Sequence, residues 1–351
     1  MCKILFLTKY PDSDDLKDGY FQRVLSIDNL LEECSRIYVD YNSNIFLNVK
    51  KIEKNIIEIR TSKYNPVGLV FIFFMAIRSD VLYLHSILRL KSLFHRIIFL
   101  SCKKKVLDLH GIVPEEFKMV GDILNYNKFN KIELFALSRA TVLVSVTRKM
   151  IDCLGKKHSV NIVEKSFILP ILPKDIKFKK EIGLKDMKSV IYCGGLQEWQ
   201  QVDKMLDFVN KNSNFLNFTF LVPDPGKLLR IYNEKYNKEF PGLITSSPSD
   251  KVIDWYANNS FGLIFRENNV VNNVACPTKL VEYFQNDVLP IVDSENIGDF
   301  KDLGFEYVKI GDKIPDSAIW KSKVLKNRTV YLNIREKFNA ESERLRDFLN
   351  N

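Results

Sequence analysis

Short apolar runs rich in Ile, Val, Leu and Phe recur along the chain at intervals that fit strand, helix, strand. In the first half the predicted strands are residues 3–8, 35–40, 56–60, 81–85, 106–110, 141–146 and 167–171. Helical patterns such as 21–33 and 128–139 lie between several of them. Strands that are apolar on both faces and alternate with helices are typical of parallel sheets covered on both sides. The first half therefore predicts a doubly wound α/β domain.

The same pattern then starts again. The second set of predicted strands is 189–194, 218–222, 243–246, 262–265, 288–292 and 307–310. The helices predicted between them are 200–212, 227–235, 250–258, 277–286 and 297–303. A second doubly wound domain follows from this series, and the helical composition of 329–349 predicts a last helix.

The length of 351 residues fits two domains. We expect an N-terminal domain at 1–172, a Lys-rich linker at 173–188 and a C-terminal domain at 189–328. The terminal segment 329–351 is expected to form a helix that packs back on the first domain. Ligands of open parallel sheets bind beyond the carboxyl ends of the strands, so the predicted site lies in the cleft between the two sheets.

The six cysteines are scattered and form no CxxC pair, which favours reduced thiols in a cytoplasmic protein. The N-terminus runs directly into a short strand and shows no pattern of a secretory signal. The longest apolar run, 67–77, is shorter than the roughly 20 residues of a membrane span, so no transmembrane helix is expected.

Charge is unevenly divided, because residues 1–172 hold 26 Lys+Arg against 18 Asp+Glu and residues 173–351 hold 26 against 25. One basic segment interleaves with apolar residues; its cations are Arg89, Lys91, Arg96, Lys103, Lys104 and Lys105. Such a segment could lie on an anionic membrane surface, at the inner face of the cytoplasmic membrane. The alternative is a helix that covers the sheet and keeps its charges in water. No recognised nucleic-acid-binding motif accompanies the charge, and no nucleic acid partner is expected.

In the second half, a cation and a helix start follow one predicted strand closely. Arg266 ends the strand, and after a polar loop Pro277 is predicted at the first helical position. The amides of Thr278 and Lys279 at this helix start suit an anion such as a diphosphate. Glu282 shares a helix face with Lys279 and could accept hydrogen bonds from ribose hydroxyls. An ordinary surface Lys–Glu pair is the alternative that spacing alone leaves open.

The stretch 261–292, FGLIFRENNVVNNVACPTKLVEYFQNDVLPIV, resembles the donor-site signature of GT-B glycosyltransferases of the GT4-like type. The matching residues are Gly262, Arg266, Asn269, Asn272, Pro277, Lys279, Glu282, Tyr283, Pro290 and Ile291. The resemblance implies a GT-B fold of two Rossmann-like domains facing a central cleft. It also implies that Arg266 and Lys279 contact a diphosphate and that Glu282 binds the ribose.

Two positions depart from the signature: Val274 stands where the family has a second Glu, and Asp287 stands where Gly is usual. Without that Glu, contact with the transferred sugar could come from Asn272, Asn273 or backbone amides nearby. The loop after the first strand of the second half resembles the glycine turn that the family lays against the donor phosphates. Gly194 and Gly195 permit that close approach, although an ordinary strand-to-helix turn is the alternative.

In the first half, the run Asp108-Leu109-His110-Gly111 resembles the family's strand that ends in His-Gly. By that resemblance His110 contacts the transferred sugar and stabilises charge at the reacting centre. The other acceptor-side candidates are Gly19, Arg23, His85, Glu115 and Glu116. Glu115 or Glu116 could activate an acceptor hydroxyl if the reaction inverts, and both could equally be solvated carboxylates. Arg23 could reach a phosphate or an acceptor, or face solvent.

The resemblance implies transfer of a glycosyl group from a nucleoside diphosphate sugar to a saccharide or lipid-linked acceptor, with retention, in surface polysaccharide synthesis. No cofactor and no metal are expected, although residues 12–14 spell the DxD of a different glycosyltransferase class. A sugar-nucleotide epimerase of the same fold, a catalytically silent partner subunit and a peripheral membrane or interaction protein are the alternatives.

Overall fold

The computed structural model describes residues 2–41, 46–173, 178, 182–183, 185–248 and 251–350. The chain divides into two compact units, one of Met1–Ile171 with Lys337–Asn351 and one of Leu172–Glu336. Each unit is built on its own sheet.

The first unit alternates strands with helices. Its elements are β1 (Lys3–Phe6), α1 (Gly19–Leu30), β2 (Ser35–Asp40), β3 (Asn48–Glu53), β4 (Ile56–Arg60), α2 (Pro66–Ile77), β5 (Val81–His85), α3 (Leu93–Ser101), β6 (Lys104–Leu109), α4 (Val113–Met119), α5 (Ile123–Arg139), β7 (Val142–Ser145), α6 (Arg148–His158) and β8 (Ser166–Ile168). The strand order is β3-β4-β2-β1-β5-β6-β7-β8, and β3 pairs antiparallel with β4 whereas the other described pairs are parallel.

Burial on both faces explains why the inner strands of this unit are apolar. β5 is buried along its whole length, and in β1 only Lys3 reaches the surface. With this strand order, the right-handed rule for crossovers between parallel strands assigns α2, α3 and α5 to one face of the sheet and α1 to the other. Helix α1 packs Val24 and Ile27 into a core that includes Leu345 and Leu349 near the end of the chain.

The second unit repeats the arrangement on a smaller sheet. Its elements are β9 (Asp186–Cys193), α7 (Val202–Asn212), β10 (Asn217–Leu221), α8 (Pro225–Tyr236), β11 (Gly242–Thr245), α9 (Val252–Ala257), β12 (Asn259–Ile264), α10 (Val270–Val274), α11 (Thr278–Gln285), β13 (Leu289–Val292), β14 (Val308–Lys309) and the part of the long helix α12 (Ser317–Asn350) up to Glu336. The strand order is β11-β10-β9-β12-β13-β14, with parallel pairing throughout the described register. The carboxyl ends of β9, β12 and β13 therefore share one edge.

The secondary structure departs from the sequence predictions at three places. The predicted helix 297–303 is a series of turns, because Gly298 takes a φ of 45° that an α-helix does not allow. Strand β3 was not predicted, since its polar sequence lies exposed at the sheet edge. The last helix begins at Ser317, well before residue 329, because Trp320 and Val324 pack into the core of the second unit.

Most of the predicted linker lies outside the described residues. Its last three positions, 186–188, belong to β9. No helix in the described part of the chain is both long enough and apolar enough to cross a membrane.

Candidate functional site

Arg266 leaves the carboxyl edge of the second sheet just after β12. Its backbone N–H donates to the Asp293 carboxylate, which follows β13, over 2.6 Å. Its guanidinium donates to Asn272 Oδ1 over 3.3 Å. The side chain is mostly buried, and burial lowers its pKa from an ordinary value that is far above neutrality. Arg266 is therefore a fixed cation at the sheet edge.

Lys279, in the first turn of α11, points at the loop that follows β9. Its ammonium donates to Gln200 Oε1 over 3.0 Å and lies 4.7 Å from the centre of the Tyr192 ring. A Cβ atom at Gly194 would overlap the Lys279 amino nitrogen, so glycine gives the loop its close approach. Burial, and then the charge of Arg266, lower the pKa of Lys279 to about 8. The two cations are thus close enough to repel each other.

The start of α11 adds partial positive charge to the same place. The sequence predicted Pro277 as the first residue of this helix. In the structure Pro277 instead precedes the helix, with a ψ of 119°. The helix begins at Thr278, so the amides of Thr278 and Lys279 are among those without an intrahelical partner. Two side-chain cations and a helix N-terminus form a place where a diphosphate would be bound strongly.

Glu282 lies one turn further along α11, on the same face as Lys279. Its Oε2 accepts a hydrogen bond from the Tyr256 hydroxyl over 2.8 Å. Burial raises the pKa of Glu282, while the Tyr256 hydrogen bond and the Lys279 charge oppose that shift. Glu282 is thus a carboxylate that Tyr256 holds in place next to the positive charges of Lys279 and the helix start, and it can accept hydrogen bonds from vicinal hydroxyls.

The polar loop before α11 orients Arg266. Asn272 is buried; it accepts from Arg266 and donates to the Glu267 carbonyl oxygen over 3.1 Å. Asn273 contacts Asn268, away from that pair. Val274 is buried with 4% of its surface exposed, so no side chain replaces the missing carboxylate at this position. Asn272 is thus committed to Arg266, and a sugar contact would fall to Asn273 or to backbone amides.

Asp287 also acquires a structural explanation. It has a φ of 58°, in the left-handed region that glycine adopts most readily. Its carboxylate forms a bidentate pair with Arg328 of α12, with both distances at 2.6 Å. This ion pair connects α12 to the residue that follows the end of α11. It occurs at a position where glycine would adopt the backbone conformation with less strain.

In the first unit, the sequence-predicted residues gather around a buried carboxylate, Asp108 of β6. Arg23 donates to it through Nε and Nη2, with a shortest distance of 2.9 Å, and both side chains are fully buried. Tyr83 donates to the same carboxylate over 3.2 Å. Burial disfavours the charge of Asp108, but Arg23 and His85 outweigh burial and hold its pKa well below the usual range. Arg23 therefore does not face solvent, which corrects that sequence alternative, and its guanidinium is engaged by Asp108.

His85 is the last residue of β5, and His110 follows the end of the neighbouring strand β6. His85 is buried and not at a rim, and its Nδ1 lies 3.2 Å from Asp108 Oδ2. Burial lowers the pKa of both imidazoles, that of His110 to about 4, so both are neutral near pH 7. A neutral His85 must donate from Nδ1 to a carboxylate, which leaves Nε2 as an acceptor.

Both Nε2 atoms are buried and have no hydrogen-bond partner among the described residues. The Tyr20 ring contacts both imidazoles, and Ser86 next to His85 has a strained φ of 79°. Unpartnered buried nitrogens and backbone strain are typical of ligand sites. The pair could bind the hydroxyls of a saccharide.

The two glutamates beyond β6 differ in environment. Glu115 forms an ion pair with Lys157 over 2.8 Å, so its carboxylate is already engaged. Glu116 lies against Gly111, where a Cβ atom would overlap its carboxylate. Burial and the charge of Glu115 raise the pKa of Glu116, which makes its carboxylate a better proton acceptor than an ordinary glutamate. Gly19 opens α1 and has open space around it.

Among the described residues, no three His, Cys, Asp or Glu side chains gather where they could hold a metal ion. In the DxD triplet, Asp12 instead accepts hydrogen bonds from the amides of Asp14 and Asp15.

Several residues of these sites were not singled out from the sequence. Tyr256 and Asp293 come from separate elements, and no spacing rule connects them to Glu282 or Arg266. Asp108 was visible two positions before His110, where alternation along a strand predicts a side chain on the same face. That signal could have identified it.

Comparison of the sequence with protein-family models and with curated proteins finds no match. Solved structures with similar folds do exist. HepE from Anabaena in complex with UDP-glucose is 10% identical with a TM-score of 0.65, and 100% of each chain is covered. An α,α-trehalose-phosphate synthase (UDP-forming) from Burkholderia vietnamiensis is 10% identical with a TM-score of 0.58, covering 98% of this chain and 93% of that one.

A trehalose-6-phosphate synthase studied for glycosyl transfer with retention is 12% identical with a TM-score of 0.63, covering 100% of this chain and 99% of that one. At such identities the likeness establishes the fold. The predicted fold class, two doubly wound Rossmann-like domains of the GT-B type, is confirmed.

Proposed function

We propose that this chain is a glycosyltransferase that takes a sugar from a nucleoside diphosphate sugar. The observation that carries the proposal is the convergence of Arg266, Lys279 and the first amides of α11 on the Gly194 loop, with Glu282 one turn away. Positive charge beside a held carboxylate matches a diphosphate joined to a ribose. HepE, which has a similar fold, was solved in complex with UDP-glucose, and this supports the same proposal.

In this mechanism the donor half stabilises the leaving group. Arg266, Lys279 and the helix amides would face the negative charge that grows on the diphosphate as the sugar departs. His110, and His85 held by Asp108, would hydrogen-bond the sugar or the acceptor. The cationic site performs the charge stabilisation that a metal ion supplies elsewhere, so we propose that transfer is metal-independent.

We further propose that the transfer retains the anomeric configuration and that the acceptor is a saccharide or a lipid-linked saccharide in surface polysaccharide synthesis. The proposed location is cytoplasmic, at the inner face of the membrane. Retention is supported by the likeness to a retaining synthase. Glu116 is the carboxylate available if the reaction inverts.

Thermal-shift screening with UDP, GDP, ADP, CDP and TDP tests the donor site. One diphosphate at 100 times its dissociation constant should add about 2.7 kcal/mol to the free energy of unfolding. Lys279→Ala and Glu282→Ala should abolish that stabilisation, whereas the exposed pair Lys227→Ala and Glu234→Ala on α8 should keep it. Full stabilisation in both site variants would overturn the assignment.

A turnover assay separates transfer from the two other activities of the same fold. A transferase hydrolyses its sugar donor slowly when no acceptor is present, and an epimerase converts the donor alone into its epimer. A silent partner subunit binds nucleotide and turns over no donor with any acceptor.

A further inference from the structure

Lys185, near the end of the segment that the sequence predicted as a linker, binds four backbone carbonyls. Its ammonium donates to the carbonyl oxygens of Tyr256 over 2.9 Å, Asn259 over 3.0 Å, Asn286 over 2.6 Å and Asp287 over 3.1 Å. An ammonium has three N–H donors, so it cannot give each of these acceptors a donor of its own. The four oxygens, which we call the carbonyl cluster, therefore share one cation.

Two helices of the second unit end at the carbonyl cluster. Tyr256 lies in the last turn of α9, and Asn286 and Asp287 directly follow the last residue of α11. The last carbonyls of a helix lack an amide partner within the helix, and they carry the negative end of the helix dipole. One ammonium therefore stabilises both helix ends. Because Lys185 directly precedes β9, it also connects them to the start of that strand.

The same two helices carry the residues of the proposed ribose contact. The Tyr256 hydroxyl donates to Glu282 Oε2, so Tyr256 contacts Lys185 through its carbonyl and Glu282 through its side chain. On α11, the backbone and side-chain amides of Asn286 donate to the Glu282 carbonyl over 3.0 and 2.8 Å. The Asn286 carbonyl in turn accepts from Lys185. Lys185 is thus connected to Glu282 by two short routes, one through each helix.

The carbonyl cluster and the cations of the donor site lie at opposite edges of the sheet. The cluster lies at the amino edge, where β9, β12 and β13 begin. Arg266 and Lys279 make their hydrogen bonds at the carboxyl edge, with residues that follow β9, β12 and β13. A change in the cluster should therefore reach Glu282 through α9 and α11 and leave the diphosphate contacts in place.

We infer that Lys185 is a positioning residue for nucleotide recognition, because it fixes the ends of α9 and α11 so that Tyr256 keeps the Glu282 carboxylate in place. Without the ammonium, the negative ends of the two helix dipoles repel each other, and the Tyr256–Glu282 hydrogen bond is the contact that weakens. The inference rests on the proposed function, in which Glu282 binds the ribose of a nucleoside diphosphate.

Discrimination between a ribonucleotide and its dideoxy analogue tests the inference. Among UDP, GDP, ADP and CDP, the diphosphate that stabilises the wild type most is titrated by calorimetry at pH 7, followed by its 2′,3′-dideoxy analogue. Hydrogen bonds to a charged group are strong enough that the wild type should prefer the ribonucleotide by at least about tenfold. Lys185→Met removes the ammonium and should reduce this preference to under about threefold. It should still bind the dideoxy analogue like the wild type.

Lys165→Met in the first unit is the matched control. The Lys165 ammonium also donates to carbonyls at a helix end, those of Leu137 and Ala140 at the end of α5, over 2.7 and 3.0 Å. Both variants should lower the unfolding temperature, but Lys165→Met should keep the wild-type preference for the ribonucleotide. An unchanged preference in Lys185→Met, or an equal loss in Lys165→Met, would overturn the inference.

Two further measurements keep the test decisive if Lys185→Met folds poorly. Propylammonium replaces the three carbons and the nitrogen that Lys185→Ala removes, so adding it should restore the preference in that variant, whereas 1-propanol should not. Tyr256→Phe breaks the hydrogen bond to Glu282 and leaves the carbonyl cluster intact, so it should lose the preference by itself. Equal recovery with 1-propanol, or a full preference in Tyr256→Phe, would contradict the positioning role.

Failure of the inference and failure of the proposed function give different results. A wild type that binds none of the four diphosphates would refute both. A wild type that binds and discriminates, together with a Lys185→Met variant that does the same, would refute the positioning role of Lys185 alone.

Discussion

Lys279 should make nucleotide affinity depend on pH in the range where few other side chains titrate. Its pKa without ligand is about 8, because burial and the Arg266 charge both disfavour the ammonium. A bound diphosphate would favour the charged form and raise that pKa again. Above pH 8 the free protein would therefore take up a proton as it binds, so affinity should fall as pH rises through 8.

The size of the effect follows from the titration. With a pKa of about 8, about nine-tenths of Lys279 is charged at pH 7 and about one-tenth at pH 9. If only the charged form binds the diphosphate, affinity falls about tenfold over this interval, which is about 1.4 kcal/mol. The last phosphate of the diphosphate is at least about nine-tenths ionised throughout, since its pKa lies near 6. Burial raises the pKa of neighbouring Tyr192 and Cys193 and removes them from the range.

Isothermal titration calorimetry of the stabilising nucleoside diphosphate at pH 7, 8 and 9 measures this slope. Lys279→Arg is the decisive control, because guanidinium stays charged at every one of these pH values. The variant should bind with a nearly constant affinity, even if its geometry makes binding weaker. A flat wild-type profile, or the same slope in Lys279→Arg, would show that Lys279 does not contact the diphosphate.

Three further predictions concern stability and the loop geometry. Asp108→Asn should cost about 3–5 kcal/mol in urea denaturation, because it leaves Arg23 buried without its carboxylate partner. Asp122→Asn, at the N-cap of α5, should cost much less, and similar losses in both variants would refute the buried pair. Because the folded pKa of Asp108 is depressed, its contribution is present above the unfolded pKa near 3.9 and is lost as pH falls through the folded value, so Asp108→Asn should flatten the acid limb of the stability profile. Gly194→Ala should weaken nucleotide binding at least tenfold by displacing the Lys279 ammonium while the unfolding temperature changes little, and unchanged affinity by calorimetry would argue against contact between loop and phosphate.

Much of the fold was predictable because the inner strands are apolar on both faces. Strands such as β5 and β10 stand out as short apolar runs between helical patterns, and each prediction agrees with the structure within a residue or so. The failures have local causes. β3 is an exposed edge strand whose Lys-rich sequence gives no apolar signal, and glycine conformation at Gly298 breaks a pattern that otherwise fits a helix.

For the proposed donor site, the charged residues could be predicted from the sequence, but the residues that hydrogen-bond to them could not. Arg266, Lys279 and Glu282 share one stretch of chain, so their spacing on one helix and one strand end could be worked out in advance. Tyr256, Gln200 and Asp293 reach the same place from other elements, and only the folded sheet brings them there. These contacts and the burial that goes with them shift the pKa values of Lys279 and Glu282, and such shifts cannot be inferred from residue spacing.

The first unit shows how a buried charge can change the meaning of a motif. The sequence motif indicated His110 as a residue that contacts the sugar. Arg23 and His85 were predicted separately as acceptor-side residues, with no role that linked them to His110. Asp108 joins all of these positions: it neutralises Arg23, fixes the Nδ1 proton of His85 and lies on the strand that ends just before His110. Arg23 consequently has a positioning role, because its charge keeps Asp108 ionised and Asp108 keeps the His85 Nε2 an acceptor. The acceptor state of this buried imidazole thus depends on an arginine that does not contact it through any described hydrogen bond but acts through Asp108.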